Sequence, residues 1–320
     1  MKPVYKTKHG QLLNAKIEDA LQAPPLMAAA GKVNLIMTSP PFPLVRKKKY
    51  GNETGQQYVD WLKSLAPRLS DILAEDGSIV IEIGNAWEAG KPVMSTLPLE
   101  ALLAFKAAAN LELCQHVICH NPARLPSPAA WVNVERIRLK DSFTHVWWLA
   151  KTSRPRADNR RVLTPYRKDM QRLLSSQKYN AGRRPSGHKI SEKGFLTDHG
   201  GAIAPNVVDP NSLPEALMRF SNTGWDAGYR RYCAEQGLDP HPARMQSELA
   251  AFFIEFLTKP GDLVVDPFAG SNTTGAIAEA LGRRWLSVEA DAAYAAGSRG
   301  RFEATTKTQA AGRDSGAEIR

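Results

Sequence analysis

The chain has 320 residues, 43% of them hydrophobic, with 7 tryptophans and a formal net charge of +10. That length buries a substantial core, and the apolar content excludes an intrinsically disordered chain. The positive balance suits a polyanionic partner, and no apolar run reaches the ~18 residues that read as a membrane span. The N-terminus has no signal-peptide h-region, and 3 cysteines form no disulfide framework, so the expectation is a soluble protein of the reducing cytoplasm.

Residues 1–14 are polar and basic without a clear period, and residues 17–21 either close a strand or open a helix. Val33-Asn34-Leu35-Ile36-Met37 reads as a short buried strand. Thr38-Ser39-Pro40-Pro41-Phe42 ends it, because two prolines cannot continue a ladder. A basic loop, Arg46-Lys47-Lys48-Lys49, follows and leads into the turn Tyr50-Gly51-Asn52. Val59, Leu62, Leu65, Leu69 and Ile72 recur at helical spacing across 57–74, with Pro67 as a kink. Glu75-Asp76-Gly77 is expected to stop that helix before a strand over 78–84. A helix over 97–110 and strands over 111–120 and 143–150 continue the alternation, which predicts an α/β sheet with helices on its faces. Residues 152–240 are rich in Arg, Pro, Gly and Asn and weak in periodicity, so they read as an inserted, loop-rich module. Order returns with a helix over 247–257, a strand over 261–268, a helix over 273–281 and a strand over 284–289. A polar tail, 305–320, is expected to be disordered.

Two stretches carry chemistry. At Ser39-Pro40-Pro41-Phe42 the prolines fix φ and leave carbonyls free to accept hydrogen bonds. Ser39 Oγ and the Pro40 carbonyl then converge beside the Phe42 ring, an arrangement for a planar ligand with an exocyclic amino group. The second stretch is Asp266-Pro267-Phe268-Ala269-Gly270-Ser271-Asn272, between a strand and a helix. Its glycine permits close backbone approach, and the helix N-terminus is expected to present free amides. It lacks both the Lys-Ser/Thr of a P-loop and the G-x-G-x-x-G spacing of dinucleotide folds. Glu289 ends the following strand, where a carboxylate takes the two hydroxyls of a ribose.

Together these residues resemble the amino-group DNA methyltransferases that use S-adenosylmethionine, in the beta order that puts the catalytic motif before the recognition region and the cofactor motif last. The likeness also runs through Leu125-Pro126-Ser127-Pro128, Val146-Trp147-Trp148, Arg184-Pro185-Ser186-Gly187-His188 and His241-Pro242-Ala243-Arg244, and is greatest to the PvuII-type site-specific cytosine-N4 enzymes. The resemblance implies a circularly permuted Rossmann-like α/β methyltransferase fold with an inserted target-recognition region. The boundaries are then 1–151 for the catalytic half of the core, 152–240 for target recognition and 241–304 for the cofactor half. By the same resemblance Asp266, Pro267, Phe268, Ala269, Gly270 and Ser271 line the methionine end of the cofactor, and Glu289 holds its ribose. The family's acidic residue for the adenine has no matching motif and falls near Glu18 or Asp19.

The implied partner is double-stranded DNA, with a cognate restriction endonuclease as a functional counterpart, in a bacterial or phage-encoded, nucleoid-associated setting. Ser39, Pro40, Pro41 and Phe42 are the catalytic set, with Phe42 stacking on the extruded base. Arg46, Lys47 and Lys48 are candidates for the phosphates flanking it, and Arg183, Arg184 and His188 for base edges. A cytosine-C5 enzyme needs a cysteine nucleophile after a proline, and no cysteine here follows one. Cys114, His116, Cys119 and His120 lie on a strand with opposed faces, so no metal is expected. Adenine-N6 methylation, a glutamine or RNA methylase, and a non-catalytic DNA-binding protein remain the alternatives.

Overall fold

The computed structural model describes residues 1–42, 54–178 and 222–303 and, between the last two, 182–183, 185–190, 194, 196–209, 213–214, 217 and 220. Its strands are β1 (Pro3–Lys6), β2 (Gly10–Asn14), β3 (Val33–Thr38), β4 (Leu73–Gly84), β5 (Ala86–Trp87), β6 (Met94–Ser95) and β7 (Glu112–His120). They continue with β8 (Phe143–Ala150), β9 (Gly182–Arg183), β10 (Lys189–Ile190), β11 (Val207–Val208), β12 (Leu263–Asp266) and β13 (Arg284–Glu289). Nine of them build one sheet in the order β1-β2-β13-β12-β3-β4-β8-β7-β11. β2, β13, β12, β3 and β4 run parallel, while β8 lies antiparallel between β4 and β7.

Alternation along the central strands sorts the core into two layers. Leu35, Met37 and Val80 face a cluster that includes Leu249, Phe253 and Ile277 from the helices Ser247–Leu257 and Thr273–Ala280. Ile36, Ile79, Ile81 and Ile83 face the other cluster, with Tyr58, Leu62, Leu102 and Phe105 from the helices Gly55–Ile72 and Leu97–Ala108. Trp147 and Trp148 are buried on opposite faces, one in each layer. Each fully buried Leu, Ile or Met is worth about 1.5–3 kcal/mol of transfer free energy, so the sheet is held from both sides.

β12 leads through the Thr273–Ala280 helix to β13, and β3 leads through the Gly55–Ile72 helix to β4, on the other side. The direction of winding reverses between β12 and β3. A doubly wound sheet opens its ligand crevice at that place, beyond the carboxyl ends of the strands.

The sequence reading needs adjustment in two places. Glu75-Asp76-Gly77 does not separate helix from strand, since β4 already begins at Leu73. The register jumps from Val33↔Leu73 to Leu35↔Ser78, so these residues form a bulge inside the strand. Gly77 fits there because a Cβ would sit 2.7 Å from the Val33 carbonyl oxygen, and Arg156 pins the bulge through Asp76 at 2.9 and 3.0 Å. The strand expected over 261–268 is only Leu263–Asp266, because the Phe268 amide turns back to Asp266 Oδ1 at 3.0 Å.

The weakly periodic stretch contains the helices Lys168–Ser176 and Asn222–Glu235, and β11 joins the central sheet beside β7. The tail over 305–320 lies outside the described residues.

Candidate active site

A cavity of ≈ 350 Å³ opens at the carboxyl ends of β3, β4, β12 and β13. Its size is within the ~300–1,000 Å³ of small-molecule pockets. Ser39, Pro40, Pro41 and Phe42 line one side, and Asp266, Pro267, Phe268, Ala269, Gly270, Ser271 and Glu289 another. Every catalytic and cofactor residue read from the sequence therefore faces one space, although the two motifs are more than 200 positions apart.

Adjacent parallel strands bring them together. Val264 and Val265 on β12 pair with Leu35 and Ile36 on β3, so the last residues of the two strands, Asp266 and Thr38, lie close together. Thr38 Oγ1 donates to Asp266 Oδ1 at 2.7 Å. Burial nevertheless pushes the Asp266 carboxyl up to about 6. Glu289 is also raised by burial, against the two backbone amides that it accepts: Gly270 at 2.7 Å and Asp291 at 2.8 Å.

In the turn between β12 and the Thr273–Ala280 helix, Phe268 donates to Asp266, Ala269 to the Val288 carbonyl, Gly270 to Glu289 and Asn272 to the Ala269 carbonyl. What faces the cavity here is a set of carboxylates, Asp266, Glu289 and Glu18, which accept hydrogen bonds and repel phosphates. Asn272 adopts φ 56° and ψ 42°, the left-handed conformation that glycine takes most readily and asparagine tolerates. Its buried amide holds the turn by donating to Tyr5 Oη at 2.9 Å and accepting from Ser287 Oγ at 2.7 Å.

At the corner, Ser39 and Glu82 face the same space, and Glu82 Oε1 accepts from Thr144 Oγ1 at 2.9 Å. Burial raises the Glu82 carboxyl above its ordinary range, with the Thr144 hydroxyl, the Arg124 guanidinium and the Ser39 hydroxyl acting in the opposite sense. Phe42 lies against the end of β4, where a Cβ on Gly84 would come within 2.6 Å of its ring. Glu82 is absent from the sequence-derived site because it sits within an apolar strand. A signal for it exists: a lone carboxylate in Ile81-Glu82-Ile83 alternates with the core and needs a partner.

Glu18, not Asp19, is among the cavity-lining residues; its Oε1 accepts from Trp61 Nε1 at 2.7 Å. Trp61 in turn packs on Phe268, ring centroids 5.4 Å apart. His241, Arg244 and Met245 complete the opposite wall. Arg183 and His188 are exposed, Arg183 opposite Lys189 in the β9–β10 ribbon. Arg46, Lys47, Lys48 and Arg184 lie outside the described residues. Among the described residues no cluster of three or more His, Cys, Asp or Glu is arranged to hold a metal.

A sheet wound both ways from β12 and β3, a crevice crowned by carboxylates, and a catalytic corner that precedes the cofactor half define the permuted Rossmann-like methyltransferase fold. A DNA methylase family profile matches residues 33–299. The Type II methyltransferase M.PvuII of Proteus hauseri is 40% identical over 303 residues, spanning 94% of this chain and 86% of the relative. The solved PvuII DNA methyltransferase (cytosine-N4-specific) superposes with a TM-score of 0.71 at 34% identity, covering 94% of this chain and 89% of that one. A DNA modification methylase from Thermus thermophilus, complexed with S-adenosyl-L-methionine, shares the fold at 20% identity and a TM-score of 0.53, over 92% and 94% of the two chains. The chain belongs to the DNA methylase family.

Proposed function

We propose that the protein transfers a methyl group from S-adenosylmethionine to the exocyclic N4 of a cytosine flipped out of duplex DNA at a specific short sequence. The observation that carries this reading is that Ser39, Pro40, Pro41, Phe42 and Glu82 line the same cavity as Asp266 and Glu289. The 40%-identical relative is a Type II methyltransferase and the 34%-identical solved structure is a cytosine-N4-specific enzyme, which supports the choice of base.

The residues fit the cofactor. S-adenosylmethionine carries an ammonium, a sulfonium and two ribose hydroxyls and no phosphate, which matches a site lined by the acceptors Glu18, Asp266 and Glu289. Glu289 takes the ribose, since each of its oxygens keeps a free lone pair after its backbone bond. Asp266 and the Gly270-Ser271 turn face the methionine end, and Glu18 with Trp61 the adenine. Once bound, the cofactor supplies a methyl group on positively charged sulfur.

The amine of cytosine is a poor nucleophile because its lone pair is delocalised into the ring. Ser39 directs its own proton at Glu82, which leaves its oxygen lone pairs for an amine hydrogen. The Pro40 carbonyl takes the second hydrogen, which favours a pyramidal nitrogen with an available lone pair. The proton lost from N4 passes to Ser39 Oγ and on to Glu82, whose raised carboxyl holds it well. Phe42 stacks on the base and, with Pro41, excludes water from the corner.

The net charge of +10 supports a duplex substrate, with Arg46, Lys47 and Lys48 on phosphates and Arg183, Arg184 and His188 at base edges. Residues 152–240 read the target, between a catalytic half at 1–151 and a cofactor half at 241–304. The Type II label of the relative supports pairing with a restriction endonuclease of the same site, and the chromosome as substrate places the protein in the cytoplasm. Among the described residues no helix is long and apolar enough to cross a membrane.

The test is incubation with unmodified genomic DNA and S-adenosylmethionine, followed by nucleoside mass spectrometry. N4-methylcytosine is the expected product. N6-methyladenine would overturn the base assignment, and the absence of any modified base would overturn the activity.

A further inference from the structure

Two walls of the cavity are tied to a single carboxylate that lies in neither of them. Arg301 is buried, and its Nε donates to the Ser271 carbonyl at 2.8 Å. Its Nη2 reaches both Ser271 Oγ and Asp226 Oδ1, each at 2.9 Å, and its guanidinium lies 4.8 Å above the Tyr229 ring centroid. On the other wall, Arg244 donates from Nε to Asp226 Oδ2 at 2.9 Å and from Nη1 to the His241 carbonyl at 2.7 Å. Tyr229 Oη accepts the His241 amide at 2.8 Å. Asp226 and Tyr229 are three positions apart on the Asn222–Glu235 helix, a spacing that puts them on one face.

This face therefore grips both sides of the cofactor turn. A Cβ on Gly270 would meet the His241 ring at 3.2 Å, so the 241–245 wall and the 270–271 wall already stand in near contact. Their separation is set by how Arg244 and Arg301 share Asp226, one arginine to each oxygen. Sharing of this kind fixes both guanidinium groups in orientation as well as in distance.

We propose that Asp226 is a positioning residue for the S-adenosylmethionine site, holding Ser271 through Arg301 and the His241–Arg244 segment through Arg244. The inference rests on the cofactor reading above. It places the control of a cofactor turn in a helix that belongs, by sequence, to the target-recognition stretch 152–240. An ion pair with only a structural role, once broken, weakens cofactor binding, DNA binding and thermal stability together. A positioning pair moves the cofactor constants alone.

Calorimetric titration of the full chain with S-adenosylmethionine, alongside DNA binding measured without cofactor and steady-state kinetics, separates these cases. Asp226→Asn is expected to raise the cofactor Kd and KM about tenfold or more, with DNA affinity and kcat at saturating cofactor within about threefold of wild type. Asp226→Glu, which keeps a carboxylate beside the buried Arg301, carries the test should Asp226→Asn not fold. Its longer arm should weaken cofactor binding about threefold at unchanged DNA affinity. Wild-type cofactor affinity in both variants, or equal losses of cofactor and DNA binding, would overturn the proposal. Failure of the wild-type chain to bind S-adenosylmethionine would overturn the cofactor reading instead, so the two failures are distinct.

Discussion

In the proposed reaction Ser39 and Glu82 form the smallest unit that does chemistry, and each makes a different demand on the other. The serine must aim its proton away from the substrate, and the glutamate must be charged to accept it. Burial raises the Glu82 carboxyl, so it loses its charge at a higher pH than an ordinary glutamate near ~4.3. Turnover at saturating substrates should therefore fall as pH drops, along a limb that lies above the usual carboxylate range. Glu82→Gln should remove that limb and lower kcat about a hundredfold or more, while DNA affinity stays within a few-fold. A variant that keeps the wild-type acid limb would show that another group is responsible. Ser39→Ala should likewise cut turnover more than DNA affinity, and equal loss of both would end its role as an acceptor. The serine is legible from the sequence, since prolines announce a rigid corner. The glutamate is legible only as a lone carboxylate in an apolar strand, because its place beside Ser39 depends on which strand lies next to β3, and strand order leaves no local trace.

At the scale of elements, the catalytic corner is supported by a strand end shaped to receive it. The close approach of Phe42 to Gly84 leaves no room for a side chain, so even a methyl group must push the ring or the strand aside. Gly84→Ala is expected to lower kcat about tenfold or more with little change in the folded fraction, because the clash is confined to the rim. Wild-type turnover in that variant would mean that the position of Phe42 does not matter. Long apolar-patterned segments such as Gly55–Ile72 and Phe143–Ala150 are read directly from their spacing. The bulge at Glu75-Asp76-Gly77 reads as a boundary because Asp-Gly is a turn signal locally, whereas Arg156 and the Val33 carbonyl fix its conformation from a distance. The Asn222–Glu235 helix is hidden for a similar reason. Its buried Tyr229 and Cys233 make a stripe too narrow to stand out among polar neighbours.

For the molecule as a whole, the cavity concentrates carboxyl groups that folding makes harder to ionise. Asp266 holds its proton up to about pH 6 in the folded chain, against an ordinary value of 3.8. That difference of about two pH units is worth about 3 kcal/mol. Its contribution to stability is fully present below about pH 4 and is lost as pH rises through about 6. Asp266→Asn should consequently be more stable than wild type at about pH 8, with the advantage vanishing toward about pH 4, as read from denaturant midpoints. It should at the same time bind S-adenosylmethionine more weakly. A constant difference in stability across that range would show that Asp266 titrates normally. The chain as a whole carries the opposite sign, a net charge of +10, and neutralising Lys47 and Lys48 together should reduce the salt slope of DNA binding by about 2. An unchanged slope would remove both from the phosphate contacts.

The bond from Thr38 to Asp266 joins strands separated by most of the polypeptide. During synthesis β3 emerges early, while β12, the turn behind it and Glu289 follow only after residues 152–240 have left the ribosome. The two sides of the cavity, Ser39–Phe42 and Asp266–Ser271, therefore come together only once the late half of the sheet has been made.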